Sequence, residues 1–241
     1  MLIGAAALAA GAAYASTVDA APNQKAVAAG PLASGPVLQG THKVEPLSFD
    51  PAKLNGLSER MMRSHHENNY TGAVKNLNRA EQELAAVTKD TPPFLVAALR
   101  DRELNFRGSK LLHEHYFGNL GGDGRRAGSI EQALSLAYGS SSRWEEQFRF
   151  TGLGLGGGSG WVVLGYELDT GTLRTIGLSN HTQSLCLLAP LLVLDMYEHA
   201  YQMDFGAAAA KYIDAFFANL SWEVVDRRLQ KARRAHAVLV S

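Results

Sequence analysis

Asp195 and His199 stand four residues apart in Asp195-Met196-Tyr197-Glu198-His199-Ala200-Tyr201, directly after the apolar run Leu191–Leu194. A strand ending there projects a carboxylate oxygen and an imidazole toward one point, a mix of hard and borderline donors that iron or manganese accepts. An ion pair or a cap at a strand end suits the same spacing. His113-Glu114-His115 offers further imidazole. Residues two apart on a helix point roughly 200° away from each other, so only one of that pair faces a given site. His65-His66 is restricted in the same way, and neither pair forms the H-E-x-x-H of a zinc metalloprotease.

Two other motifs carry less. Gly152-Leu153-Gly154-Leu155-Gly156-Gly157 matches G-x-G-x-x-G, but it follows a predicted helix and precedes a predicted strand, the reverse of a dinucleotide-binding turn. It reads as a connection that permits close backbone approach. Cys186 is the single cysteine, which excludes an internal disulfide and any CxxC site; between leucines it reads as a buried free thiol.

The elements that must position these groups follow from periodicity. Leu57 to about Val87 is helical, with apolar residues largely at three- and four-residue steps. After Thr91-Pro92-Pro93 come a short helix, Phe94–Arg100, and a longer one, Leu104–Phe117, stopped by Gly118; the two long helices form a hairpin. Ile130–Tyr138 and Trp144–Phe150 read as helices, Trp161–Glu167, Thr172–Leu178 and Leu188–Asp195 as strands, and Ala207–Asn219 and Trp222–Ala235 as helices again. Three consecutive strands without a crossover helix predict an antiparallel meander. The fold class is α+β: an N-terminal helical hairpin domain at 46–125 and a C-terminal domain at 126–241 with a three-stranded antiparallel sheet flanked by helices.

The 241 residues carry 23 Lys+Arg against 23 Asp+Glu, a balance that argues against a protein that wraps nucleic acid or anionic membrane, since both demand a surplus of Lys and Arg, but leaves open local steering of a small anion. Arg125, Arg126 and Arg227-Arg228 read as solvated faces. Residues 1–15, MLIGAAALAAGAAYA, lack ionisable side chains and end in a small-x-small pattern, which predicts a signal peptide and an exported, periplasmic or extracellular protein. The run is too short for a convincing membrane span, so no stable membrane insertion is expected. Residues 16–45, rich in Ala, Gly, Pro and Ser, read as a disordered linker.

Taken together the segments resemble a known family. Asp195-Met196-Tyr197-Glu198-His199-Ala200-Tyr201 is similar to the D-x-W-E-H-A-Y signature of iron/manganese superoxide dismutases, and Gly158-Ser159-Gly160-Trp161 to their G-S-G-W. Lys211-Tyr212-Ile213-Asp214-Ala215-Phe216 followed by Trp222 resembles their C-terminal helices, and Asn76-Leu77-Asn78 follows His65 at the family's interval. The resemblance, from about residue 46 to 234, implies an iron or manganese ion held by His65, His115, Asp195 and His199. It implies His181 as the residue that hydrogen-bonds solvent at the metal, Trp161 and Tyr201 as walls of the pocket, and Glu198 reaching across a homodimer interface to the partner's ligand. The implied substrate is superoxide, dismuted to dioxygen and hydrogen peroxide.

Departures from the family pattern bear on proton delivery. Ala73 stands where a gateway tyrosine is usual and Asn69 where a histidine precedes it. Gln202 replaces a second tyrosine, Leu111 stands where some members carry a glutamine, and Tyr197, Asn119 and Val163 replace tryptophans. The resemblance therefore implies a superoxide dismutase with an altered surround; the alternative is a metal-binding protein of that fold with little or no dismutase activity.

Overall fold

The computed structural model describes residues 37–126, 128–183 and 186–241. The expected signal peptide and most of the expected linker lie outside the described residues. The stretch from Gly40 to Glu45, expected as part of that linker, is instead tied down: Gly40 N–H donates to buried Glu81 at 3.0 Å, and His42 exchanges two backbone bonds with the Asn78 amide, at 2.8 and 2.9 Å. Ordered contacts therefore begin before Pro46.

Ser58 caps α1 (Glu59–Ser64), its hydroxyl accepting from Met61 N–H. The rod continues through a π-helical turn, His65–Tyr70, into α2 (Thr71–Ala85). Carbonyls displaced by the turn are re-satisfied by side chains: Asn68 donates to Ser64 O at 2.9 Å and Thr71 to His66 O at 3.0 Å. α3 (Pro93–Gly118) runs unbroken where the sequence predicts two helices. No breaker lies between Arg100 and Leu104, and ion pairs of Glu103 with Arg100 and Arg107 bridge the expected join.

α4 (Ser129–Tyr138) and α5 (Ser141–Gly154) lead to the sheet of β1 (Trp161–Glu167), β2 (Thr172–Leu178) and β3 (Leu188–Asp195). Its order is β2-β1-β3, antiparallel throughout. This corrects the expected meander, which would centre β2. β2 is exposed or part-buried at every position before Leu178 and tolerates an edge, whereas β1 is buried along nearly its whole length and takes the centre. Gly160 makes the approach to the sheet possible: a Cβ there would sit 2.4 Å from the Leu178 carbonyl.

A short α6 (Gln202–Phe205), α7 (Ala209–Ala218) and α8 (Trp222–Leu239) complete the chain. Trp144, Phe148, Phe217 and Trp222 pack edge to face beneath the sheet, with the Arg126 guanidinium 4.7 Å from the Trp222 ring. Cys186, expected to be buried, is exposed in the turn before β3.

Candidate metal centre

Four buried or half-buried side chains from three parts of the chain converge. His65 opens the π turn, His113 lies in α3, Asp195 ends β3 and His199 sits in the 3-10 turn that follows (Glu198–Ala200). One ligand atom from each lies within 4.8 Å of the other three. Around Asp195 Oδ2, the Nε2 atoms stand at 3.1 Å for His65, 3.3 Å for His199 and 3.7 Å for His113.

The family resemblance implies His115 in this set; the structure has His113 there instead. Ser109, Leu112, His113, Tyr116 and Phe117 form the buried stripe of α3. His115 lies off it, donating Nδ1–H to Leu111 O at 2.9 Å on the Arg228 side of the helix. The signal was present: His113 shares a face with Tyr116 and Phe117, and His115 shares one with Leu111. Counting four residues back from the corrected ligand leads to buried Ser109 rather than Leu111, which is exposed.

The donor chemistry fits a cation. Burial lowers the His65 pKa and takes that of His113 down to about 3, so both rings are neutral with lone pairs available. Burial alone would raise the Asp195 carboxyl, but a hydrogen bond with His199 and the close approach of the His65 ring overrule it and keep the group ionised. Both ring nitrogens of His65 and Nε2 of His113 are buried without a hydrogen-bond partner. Orphaned buried nitrogens around a carboxylate are costly in a protein-only site and are satisfied by a metal ion. Outer contacts fix the ligands: His113 Nδ1–H donates to Ser109 O at 2.7 Å, Tyr197 N–H to Asp195 Oδ1 at 2.9 Å, and the Tyr212 hydroxyl to Asp195 O at 2.8 Å.

A cleft of about 270 Å³ opens onto His113, His181 and His199, walled by Asn68, Asn69, Ala73, Asn105 and Ser109 among others. Trp161 pairs with Asp195 across β1 and β3, meets His113 edge-on at 5.0 Å, and donates its indole N–H to His181 Nδ1 at 3.0 Å. The His181 ring stacks on Tyr197 at 4.7 Å. Its backbone packs so closely on α3 that a Cβ on Gly108 would lie 1.8 Å from the His181 carbonyl.

Tyr201 does not line the cleft: it is buried against Tyr212 and supports the strand end from behind. Tyr70, three residues before Ala73, is no stand-in for the missing gateway tyrosine. Its hydroxyl donates to Glu114 at 2.7 Å and accepts from Glu45 N–H, away from the cleft. Glu198 is exposed beside His199.

Comparison with known proteins agrees with this geometry. Residues 126–228 match the family model described as iron/manganese superoxide dismutases, C-terminal domain. The chain is 44% identical over 194 residues to a protein of Cupriavidus metallidurans named superoxide dismutase [Fe], covering 80% of this chain and 98% of that protein. It is 33% identical over 211 residues to a superoxide dismutase [Fe] of Aquifex pyrophilus, covering 83% and 97% of the two chains. A superoxide dismutase [Mn] 1 of Halobacterium salinarum is 28% identical over 197 residues, covering 79% and 96%.

Proposed function

Because the chain belongs to the iron/manganese superoxide dismutase family, we infer that it is a superoxide dismutase whose ion is held by His65, His113, Asp195 and His199. The observation that carries this reading is the set of four convergent donors with three unpartnered buried nitrogens. Bound there, iron or manganese supplies the one-electron redox chemistry that turns two superoxide ions and two protons into dioxygen and hydrogen peroxide.

The chain's own residues do the rest. Three neutral imidazoles and one carboxylate leave a cation in the site with net positive charge, which attracts a small anion down a cleft walled mainly by uncharged side chains. His181 presents its free Nε2 to that cleft as a hydrogen-bond donor, held by Trp161 on one side and Tyr197 on the other. Among the residues that line this cleft, His181 is the titratable side chain that is not itself a ligand.

The protein works as a homodimer in this reading. Glu198 is exposed next to His199, whose side chain remains 27% exposed, and a twofold partner would bring each Glu198 to the other subunit's His199. Export to the periplasm or the exterior rests on the uncharged leader at residues 1–15. Metal analysis of the purified protein together with a superoxide assay tests the activity: stoichiometric iron or manganese with turnover far above spontaneous decay is expected. Full metal loading with turnover no better than spontaneous decay would overturn it. Fractionation of cells with sequencing of the mature N-terminus tests the export.

A further inference from the structure

α8 packs through Val225, Leu229 and Ala232, while Arg227, Lys231, Arg234 and Val238 follow one another at steps of four, three and four along the opposite, solvent-facing side. Residues 227–241 contain five Arg or Lys and no Asp or Glu. Arg227 pairs with Glu223 and Arg228 is turned inward, but Lys231, Arg233 and Arg234 have no ion pair among the described residues. One turn beyond this cationic collar the helix overhangs the body, and Val238, Leu239 and Val240 are 55%, 53% and 57% exposed. The helix dipole favours cations near a C-terminal end, but it gives no reason for three consecutive apolar side chains in water.

An apolar tip with a ring of cations about one turn behind it has the layout of a segment that enters the headgroup layer of an anionic bilayer, with chains inward and phosphates at the collar. The only acids at that end that the adjoining β1–β2 turn contributes are Asp169 and Glu167, and Glu167 is already paired with Arg174. His236 fastens the helix to that turn, donating to Leu168 O at 2.8 Å, so the overhang is held in place by the fold. We propose that the C-terminal end of α8 is a peripheral docking surface for anionic phospholipid membranes. This is surface association only, since no helix among the described residues is long and apolar enough to cross a membrane. The exposed apolar tip favours lipid over nucleic acid, which would use the cations alone.

Co-sedimentation of the full chain with vesicles tests it, comparing equal parts phosphatidylglycerol and phosphatidylcholine with phosphatidylcholine alone. Binding to the anionic vesicles only is expected. The triple variant Lys231→Gln, Arg233→Gln, Arg234→Gln should bind on the order of a hundredfold more weakly at low salt. Val238→Asn with Leu239→Asn should weaken binding to the same vesicles. All five positions are exposed, so melting and dismutation should be unchanged, and the leader at residues 1–15 is common to every variant. Wild-type protein that stays in the supernatant, or a triple variant that sediments like wild type, overturns the proposal. So does a tip variant that retains full vesicle binding while the wild type binds duplex DNA equally well, because the surface would then be a plain polyanion site.

Discussion

The indole N–H of Trp161 points at Nδ1 of His181, 3.0 Å away, and an indole can only donate. Nδ1 must therefore be the accepting nitrogen. Burial disfavours the charged imidazolium, so the one ring proton resides on Nε2, the nitrogen left free to serve the cleft. Trp161→Phe removes this constraint while preserving most of the buried ring. Dismutation should fall about ten- to a hundredfold with metal content retained. Nitrogen-15 NMR of His181 should show Nε2–H dominant in the wild type and a mixture of tautomers in the variant; an unchanged tautomer would remove Trp161 from this role.

His113 and His115 provide a paired test of the ligand set. His113→Ala should abolish stoichiometric metal binding and activity together. His115→Ala should keep both, because it loses only a bond to Leu111 O beside Arg228. Metal analysis of the two proteins, prepared side by side, separates them.

Gly108 has no space for a side chain. Gly108→Ala would drive a methyl group into the His181 carbonyl and force the 179–183 segment away from α3. A loss of about 1–3 kcal/mol in unfolding free energy is expected, typical of overpacking. A drop in activity larger than that of other mutants of equal stability would show that the displaced segment carries His181 with it.

Acid should destabilise the metal-free protein. His113 has a folded pKa of about 3, below the ordinary histidine value of 6.5, so between those limits the unfolded chain binds the proton and the folded one does not. Stability therefore rises with pH across that window and is lost progressively as pH falls from about 6.5 toward 3. Asp195, whose carboxyl is held below its usual range, adds to the loss below about pH 4. Urea midpoints of chelated protein at pH 7 and pH 4.5 should differ in this sense. The metal-loaded protein, whose ligands cannot take up protons without releasing the ion, should change less until the ion is lost.

Glu198→Gln addresses the assembly. If Glu198 binds the partner's His199, the variant should shift toward monomer in sedimentation velocity by weakening a charge-assisted bond. An unchanged dimer constant would remove the residue from the interface.

Much of this was legible in the chain. The Asp195–His199 spacing, the strand before it and the long helices gave the ligand-bearing elements, because apolar periodicity reports which faces are buried. What it did not report was phase and partner order. The choice between His113 and His115 turns on a rotation of two residues, visible only if Tyr116 and Phe117 are recognised as the buried pair. Placing β1 at the centre of the sheet depended on comparing burial along whole strands rather than on chain order. The exposure of Cys186 could not be read from its leucine neighbours, since the turn before β3 faces solvent despite its composition. Trp161 was identified by a resemblance, but its bond to His181 is a through-space fact of the sheet register.

The π-helical turn at His65–Tyr70 makes the site sensitive to chain length. A π turn holds one residue more than the α turn it interrupts, so α1 and α2 are out of phase by about one residue, on the order of 100° of rotation. Removing a single residue between His66 and Asn69 would let the rod close into continuous α-helix with every packed residue of α2 in place. The first ligand, though, would be swung out of reach of Asp195. Such a deletion would thus erase the metal centre and, in the same rotation, unseat Met61 and Met62, the buried residues that share the phase of α1 with His65.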